Sequence, residues 1–441
     1  MTRTFLHPLY SFIKCPYCKG ELEFDRFVSV KRPIEKASIY CTRCQSEFRI
    51  DNFVPNILPA KFINVIENIE NYYGEKRFKV GMSGIRKAYA WLAETAKISY
   101  EKIEKKDAFG RALAIALEAC KQHGLDEKDT QEIIGILGSH FMSRGYKFHV
   151  ADQLYASDEA ISYEKYEDIL LRKVVQYFLS KAKPVTIIEL GSGVGRVLHQ
   201  YGCCTSSRKD ACRPYRRVSP SMYLHNSLGT KGSIEAIIGI DFETAMAQRA
   251  MRWLKGSKIF DLVSQKGQII QILGSIRHCN LSFKGSRFEK TSKIACILFQ
   301  TLGNQISREL QIDLLRKAWE FVSPNGVVFV SVFNSAAFET QGRPYYSSIK
   351  GSVGRAIYWK DNVFLSSRGV YSKWFTVKEV EKLFKEAGIE NYPTVLNGNT
   401  LKSFPQYDRY IDSNIQKVVK ERGIIGIAGL PKAKDVLIPR S

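Results

Sequence analysis

Val185-Thr-Ile-Ile-Glu-Leu-Gly-Ser-Gly-Val-Gly195 is the stretch whose reading decides the fold. Its first half, β-branched and carrying one acid, spells a short buried strand. Glycines 191, 193 and 195 then allow a tight turn and a close backbone approach to a ligand, where side chains would clash. A glycine triplet alone marks a plain turn as readily as a ligand loop, so its surroundings decide. Downstream, the apolar runs 236–241, 294–300 and 326–333 read as further strands, and 424–430 as a final one. Helical segments such as 307–322 lie between them. Strand–helix alternation of this kind predicts an α/β fold with a largely parallel sheet.

Upstream of Pro184 the pattern differs. Residues 107–124 read as a helix with Asp107 as N-cap and Gly124 just past its end. Asp126 and Asp129 offer caps for another helix ending near Gly138, and 161–172 reads as the helix leading into the α/β unit. Prolines 55 and 59 disfavour helix, so 53–59 reads as an exit and linker. Three units follow: 1–60 with paired cysteines, a helical region at 61–165, and the α/β unit at 166–441. Residues 201–233 interrupt the last as a basic insertion of low periodicity. Its Cys203, Cys204 and Cys212, with His199 and His225, match no metal-ligand spacing.

With 441 residues the chain can bury two or three cores, and 44% hydrophobic with 25% charged residues is ordinary for a globular protein. No apolar run reaches membrane-spanning length, and His7, Pro8 and Lys14 break up the start, which argues against a signal peptide. The net charge of +22 attracts polyanions and makes RNA a candidate partner, against the plainer reading of a lysine-rich solvated surface. Ten scattered cysteines, four of them in CxxC pairs, suit metal ligation and free thiols in the cytoplasm rather than a disulfide framework.

Cys15-Pro-Tyr-Cys18 and Cys41-Thr-Arg-Cys44 are separated by 22 residues. Each CxxC turn aims two thiolates inward, and two turns complete a tetrahedral sulfur site for Zn2+. The metal supplies free energy that so small a module lacks, and no open coordination position is suggested, so its role is structural. A dithiol redox pair would need only one CxxC. The wording around the cysteines resembles a ribbon family found in activator subunits of tRNA and protein methyltransferases, and before the catalytic domain of a bacterial rRNA guanine methyltransferase. It departs from that family at Asn52-Phe53, where aspartate-glycine is more usual.

Glu189-Leu-Gly-Ser-Gly-Val-Gly195, between strand and helix, resembles motif I of class I methyltransferases. The resemblance implies a Rossmann-like sheet and S-adenosylmethionine (SAM) as cofactor, with Glu189, Gly191, Gly193 and Gly195 at its methionine part. It also implies Asp241 as the acid on the ribose hydroxyls. Residues 298–304 resemble motif IV, and Pro324-Asn-Gly326 the turn before strand five. The motif III acid is missing: Gly274-Ser-Ile-Arg-His278 stands in its region.

Methyl transfer needs alignment of acceptor, methyl and sulfur, and sometimes proton removal. Gln300 and Asn304 are candidates to line the acceptor pocket, against the alternative that they cap the next helix or satisfy backbone groups. Tyr163 and Tyr166 are candidates to close over the cofactor, Tyr371 and Trp374 to border the acceptor, and core packing competes for all four. The acceptor stays open. Charge and ribbon lean towards RNA or a translation-associated target. Gln300-Thr-Leu-Gly, unlike the Asn/Asp-Pro-Pro-aromatic motif of base-amine methylation, leans towards a small-molecule acceptor, for which 61–165 is a candidate lid. A non-catalytic RNA-binding or adaptor protein keeping the fold is the competing class.

Overall fold

The computed structural model describes residues 10–24, 34–74, 80–105, 107–145, 158–193, 195, 197–198, 234–255, 269–397 and 423–437. The insertion at 201–233, with its cysteines and histidines, lies outside the described residues, as do the side chains of Tyr163 and Tyr166.

The cysteine-bearing unit contributes β1 (Ile13–Lys14), β2 (Leu22–Phe24), β3 (Lys36–Cys41), β4 (Glu47–Asp51) and β5 (Val54–Asn56). Helices α1 (Ala60–Gly74), α2 (Met82–Ala96), α3 (Asp107–Gln122) and α4 (Glu127–Gly145) follow, then α5 (Asp158–Ser180) leads into the α/β unit. There β6 (Val185–Leu190), β7 (Ile234–Asp241), α6 (Thr244–Lys255), β8 (Ile269–Leu273) and the short β9 (Asn280–Leu281) come first. Next are β10 (Ser292–Ile297), α7 (Arg308–Val322) and β11 (Val327–Phe333). A separate antiparallel sheet of β12 (Ala356–Lys360), β13 (Val363–Ser366) and β14 (Tyr371–Lys373) precedes α8 (Val377–Glu386), β15 (Thr394–Asn397), β16 (Gly423–Ala428) and α9 (Ala433–Leu437).

The main sheet runs β15-β16-β11-β10-β6-β7-β8-β5-β4-β3-β2. Strands β8, β7, β6, β10 and β11 are mutually parallel, while β16 lies antiparallel between β11 and β15. This is a Rossmann-like α/β sheet with a parallel centre. Every residue of β6 and β11 is buried, as a sheet covered on both faces requires. Alternation sends Ile187 into the core that includes the helical unit and Ile188 into the opposite core. The order reverses between β7–β6 and β6–β10, and in open α/β sheets the crevice outside the carboxyl ends at such a point receives the ligand.

Two expectations are corrected. The stretch 53–59 is not a linker: β5 pairs with β4 and, through Asn56 opposite Leu273, with β8, which joins the ribbon to the main sheet. Pro55 is tolerated because β5 is short and meets β8 only at its end. The helix expected to end near Gly138 continues to Gly145, and its cap is Asp126, whose carboxylate accepts from Asp129 N at 2.7 Å. Asp129 itself points elsewhere. The departure at Asn52-Phe53 is visible as strain: both residues turn the β4–β5 hairpin at positive φ (49° and 67°), where a glycine would be free of cost.

Candidate functional site

The glycine loop starts where β6 ends. Gly191, Gly193 and Gly195 all take positive φ (73°, 53° and 80°). Gly191 N and Ser192 N donate to Ile240 O of β7 at 2.8 and 3.1 Å, so the loop folds across the ends of both strands. A side chain at 191 would overlap Thr301, and one at 195 would overlap Ala250 of α6. These two glycines therefore answer a packing need as well as a backbone one.

Asp241, the last residue of β7, accepts from Gly193 N at 2.6 Å through one carboxylate oxygen and from Glu243 N at 2.8 Å through the other. Burial pushes its carboxyl up to about 6, against the pull of those two N–H donors. Glu189 is buried in β6 two residues before Gly191. The structure thus brings the glycines and Asp241 together across the β6–β7 ends, although the intervening insertion separates them widely in sequence.

The turn after β10 is held tightly. Phe299 and Gln300 both stand at positive φ (45° and 70°), a conformation costing about 1–3 kcal/mol per residue unless its surroundings impose it. Glu167 of α5, fully buried, accepts from Phe299 N at 2.7 Å and from Ser331 Oγ of β11. Gln300 Nε2 donates to Ser372 Oγ at 3.1 Å and to the Lys373 carbonyl, while its Oε1 accepts from Phe333 N at 2.7 Å. Its amide therefore ties the ends of β10, β11 and β14 together. Asn304 is exposed, with its backbone N–H bonded to Gln300 O at 2.9 Å. Tyr371 and Trp374 are buried. Trp374 sits among Phe333, Phe338, Tyr345 and Tyr346, an aromatic cluster above the end of β11. Core packing accounts for both side chains.

Two acids of α4 were not singled out as site residues by sequence. Asp129 and Glu132 face the loop that follows β8, Gly274–His278, which carries no acid. The signal available was their i, i+3 spacing, which puts both on one helix face. Nothing local distinguishes such a pair from a solvated charge stripe.

In the N-terminal unit, the Sγ atoms of Cys15, Cys18, Cys41 and Cys44 all lie within 4.8 Å of one another. The pairs Cys15–Cys44 and Cys18–Cys41 stand at 3.6 and 3.3 Å. Tetrahedral thiolates about 2.3 Å from a zinc ion would be roughly 3.8 Å apart, so the donor set and spacing fit that ion. Gly20 is needed here, because a side chain would strike the sulfurs of Cys41 and Cys18. Hydrogen bonding from Ser46 holds the exposed Cys44 thiol down to about 6, whereas burial raises the thiols of Cys15 and Cys41, so a cation is needed to hold all four as thiolates.

No family model and no curated protein matches the chain. Solved structures do. The plantazolicin methyltransferase BpumL in complex with SAH is 13% identical and covers 67% of this chain and 95% of its own, with a TM-score of 0.38. The CcbJ methyltransferase from Streptomyces caelestis is 16% identical over 60% of this chain and 90% of its own, with a TM-score of 0.31. Phosphoethanolamine N-methyltransferase 2 of Haemonchus contortus, with S-adenosylhomocysteine (SAH) and phosphomonomethylethanolamine, is 9% identical over 67% of this chain and 61% of its own, with a TM-score of 0.35.

Proposed function

We propose that this chain is a SAM-dependent methyltransferase carrying a structural zinc ion in its N-terminal ribbon. The observation that carries this reading is the glycine loop latched to Asp241 across the β6–β7 carboxyl ends, beside the point where the strand order reverses. When bound, the cofactor supplies a sulfonium methyl for in-line displacement. Asp241 accepts from the ribose hydroxyls, a task for which a carboxylate has enough lone pairs to serve both. Gly191, Gly193 and Gly195 expose backbone to the methionine part, and Glu189 adds negative charge beneath a cationic ligand. Cys15, Cys18, Cys41 and Cys44 hold the zinc.

Gln300 acts as a positioning residue for the acceptor side, since its amide fixes three strand ends. Asn304 is assigned to the rim because it is exposed. For the acceptor we favour a small molecule. The turn after β10 is bounded by α5 through Glu167 and by β14 through Lys373, whose N–H donates to Gly303 O at 2.9 Å. Such enclosure suits a compact acceptor better than a polymer. RNA remains the second reading, favoured by the charge of +22 and by the ribbon. Cys120 and Cys279, buried thiols outside the ribbon, suit a reducing compartment such as the cytoplasm. Among the described residues no helix is long and apolar enough to cross a membrane.

Titration calorimetry with SAM and SAH tests the cofactor assignment. Binding with a raised melting temperature is expected, and neither heat nor a melting shift at saturating SAM would sink it. RNA affinity measured across a salt series separates the acceptors: a steep loss with salt supports RNA, and flat or absent binding supports a small molecule.

A further inference from the structure

The loop Gly274–His278 adjoins Asp241 directly, because Gly274 N donates to Asp241 O at 2.9 Å. A ligand whose ribose rests on Asp241 therefore places the group attached to that ribose over this loop. The loop carries no acid of its own. Two acids reach it from α4. Glu132 accepts from Ser275 Oγ at 2.7 Å through one carboxylate oxygen and from Ile276 N at 2.7 Å through the other. One turn earlier, Asp129 accepts from His278 Nε2 at 2.8 Å, from Arg277 Nη1 and from Lys61 Nζ of α1 at 2.6 Å. Both carboxylates are buried, Asp129 completely. Phe62 of α1 meets the His278 ring edge-on at 5.3 Å, and Arg277 also reaches Asp126 at 3.1 Å.

Burying two carboxylates so close together is costly unless each is fully paired. Burial raises the Asp129 carboxyl, yet His278, Lys61 and Arg277 outweigh it and hold it below the usual range. Burial dominates at Glu132 and raises it. The network ties α4 to the loop beyond the end of β8: Glu132 takes up the Ser275 hydroxyl and the Ile276 N–H, and so fixes the loop's backbone where it adjoins Asp241.

We propose that Glu132 and Asp129, supplied by the interposed helical unit, are positioning residues that hold loop 274–278 in the form that receives the base-bearing side of the cofactor. The inference rests on the SAM-dependent reading. It makes the helical unit a wall of the cofactor site rather than only a lid over the acceptor.

Calorimetry of SAH and of its inosine counterpart, in which oxygen replaces the 6-amino group, tests it on the full-length zinc-loaded protein. Glu132→Gln and Asp129→Asn are expected to weaken SAH binding about tenfold, the size of a lost charge-assisted hydrogen bond. They should also shrink the preference for SAH over the inosine analogue. Ser275→Ala, which removes one partner of Glu132 and leaves the Ile276 N–H in place, should shrink the same preference by a smaller factor in protein that melting shows to be folded. A merely structural role would lower the melting temperature and weaken both ligands equally, and that result would overturn the proposal. So would SAH affinity and base preference unchanged in Ser275→Ala and in a folded Glu132→Gln. If the unaltered protein binds no SAH, the cofactor reading itself fails, which is a distinct result.

Discussion

Asp241 sets the pH behaviour of the site. Its carboxyl is held at about 6 by burial, and only the ionised form can accept from both ribose hydroxyls. Bound ligand must then compete with a proton. SAH affinity is expected to be flat above neutrality and to fall by up to about tenfold per pH unit below 6. Calorimetry between acidic and mildly alkaline pH reads this directly. Affinity that rose on acidification would show that Asp241 does not face the ribose. The place of Asp241 at the end of β7 follows from the apolar run before it, whereas its assignment to the ribose came from the resemblance to methyltransferases. Asp129 was misread for the converse reason. Its sequence neighbours suggest a helix cap, whereas its partners Lys61, Arg277 and His278 come from elements distant along the chain.

At the scale of elements, the strands of the α/β unit follow closely from their apolar runs, because a strand buried on both faces has no other composition open to it. Helix α7 also begins where its sequence says. Ser307 Oγ accepts from Leu310 N at 3.2 Å and donates to Gln131 Oε1 of α4 at 2.6 Å. Ser307→Ala therefore removes a cap and strands a buried amide, with an expected cost of about 1–3 kcal/mol. Thermal melting should fall by a few degrees. A shift smaller than about a degree would show that the two hydrogen bonds are replaced by water. The reading of 53–59 failed at this scale. Prolines rightly excluded helix there, but they do not exclude a short strand whose partners lie elsewhere in the chain.

Across the whole molecule, the ribbon is a structural part of the α/β unit. Besides the β5–β8 pairing, β1 pairs with β9, and Phe12 packs against Phe283 and Phe288. Asn280 donates to the carbonyl of Cys15 at 3.2 Å, directly behind the first CxxC turn. Tyr17, within that turn, accepts from Ala60 N at 2.6 Å at the start of α1. Loop 274–280 is thus flanked by the cysteine cluster at one end and by the α4 acids at the other. Removing zinc with a strong chelator is expected to lower the melting temperature and to weaken SAH binding about fivefold or more, with zinc affinity rising reciprocally when SAH is bound. Unchanged SAH affinity in the metal-free protein would show the two centres to be independent. The sequence by itself determined the paired cysteine turns, the glycine turn after β6, the strand that ends at Asp241 and the alternation of strand and helix, since each is a short-range pattern with few conformational solutions. Tertiary structure alone decided that the ribbon extends the sheet, and that Gln300 clamps three strand ends. It alone decided that two acids of α4 meet the loop after β8. These contacts join residues far apart in the chain, and no local periodicity encodes which of them meet. The strand that opens at Val185 and the glycine turn after it were therefore readable at once, and their surroundings were not.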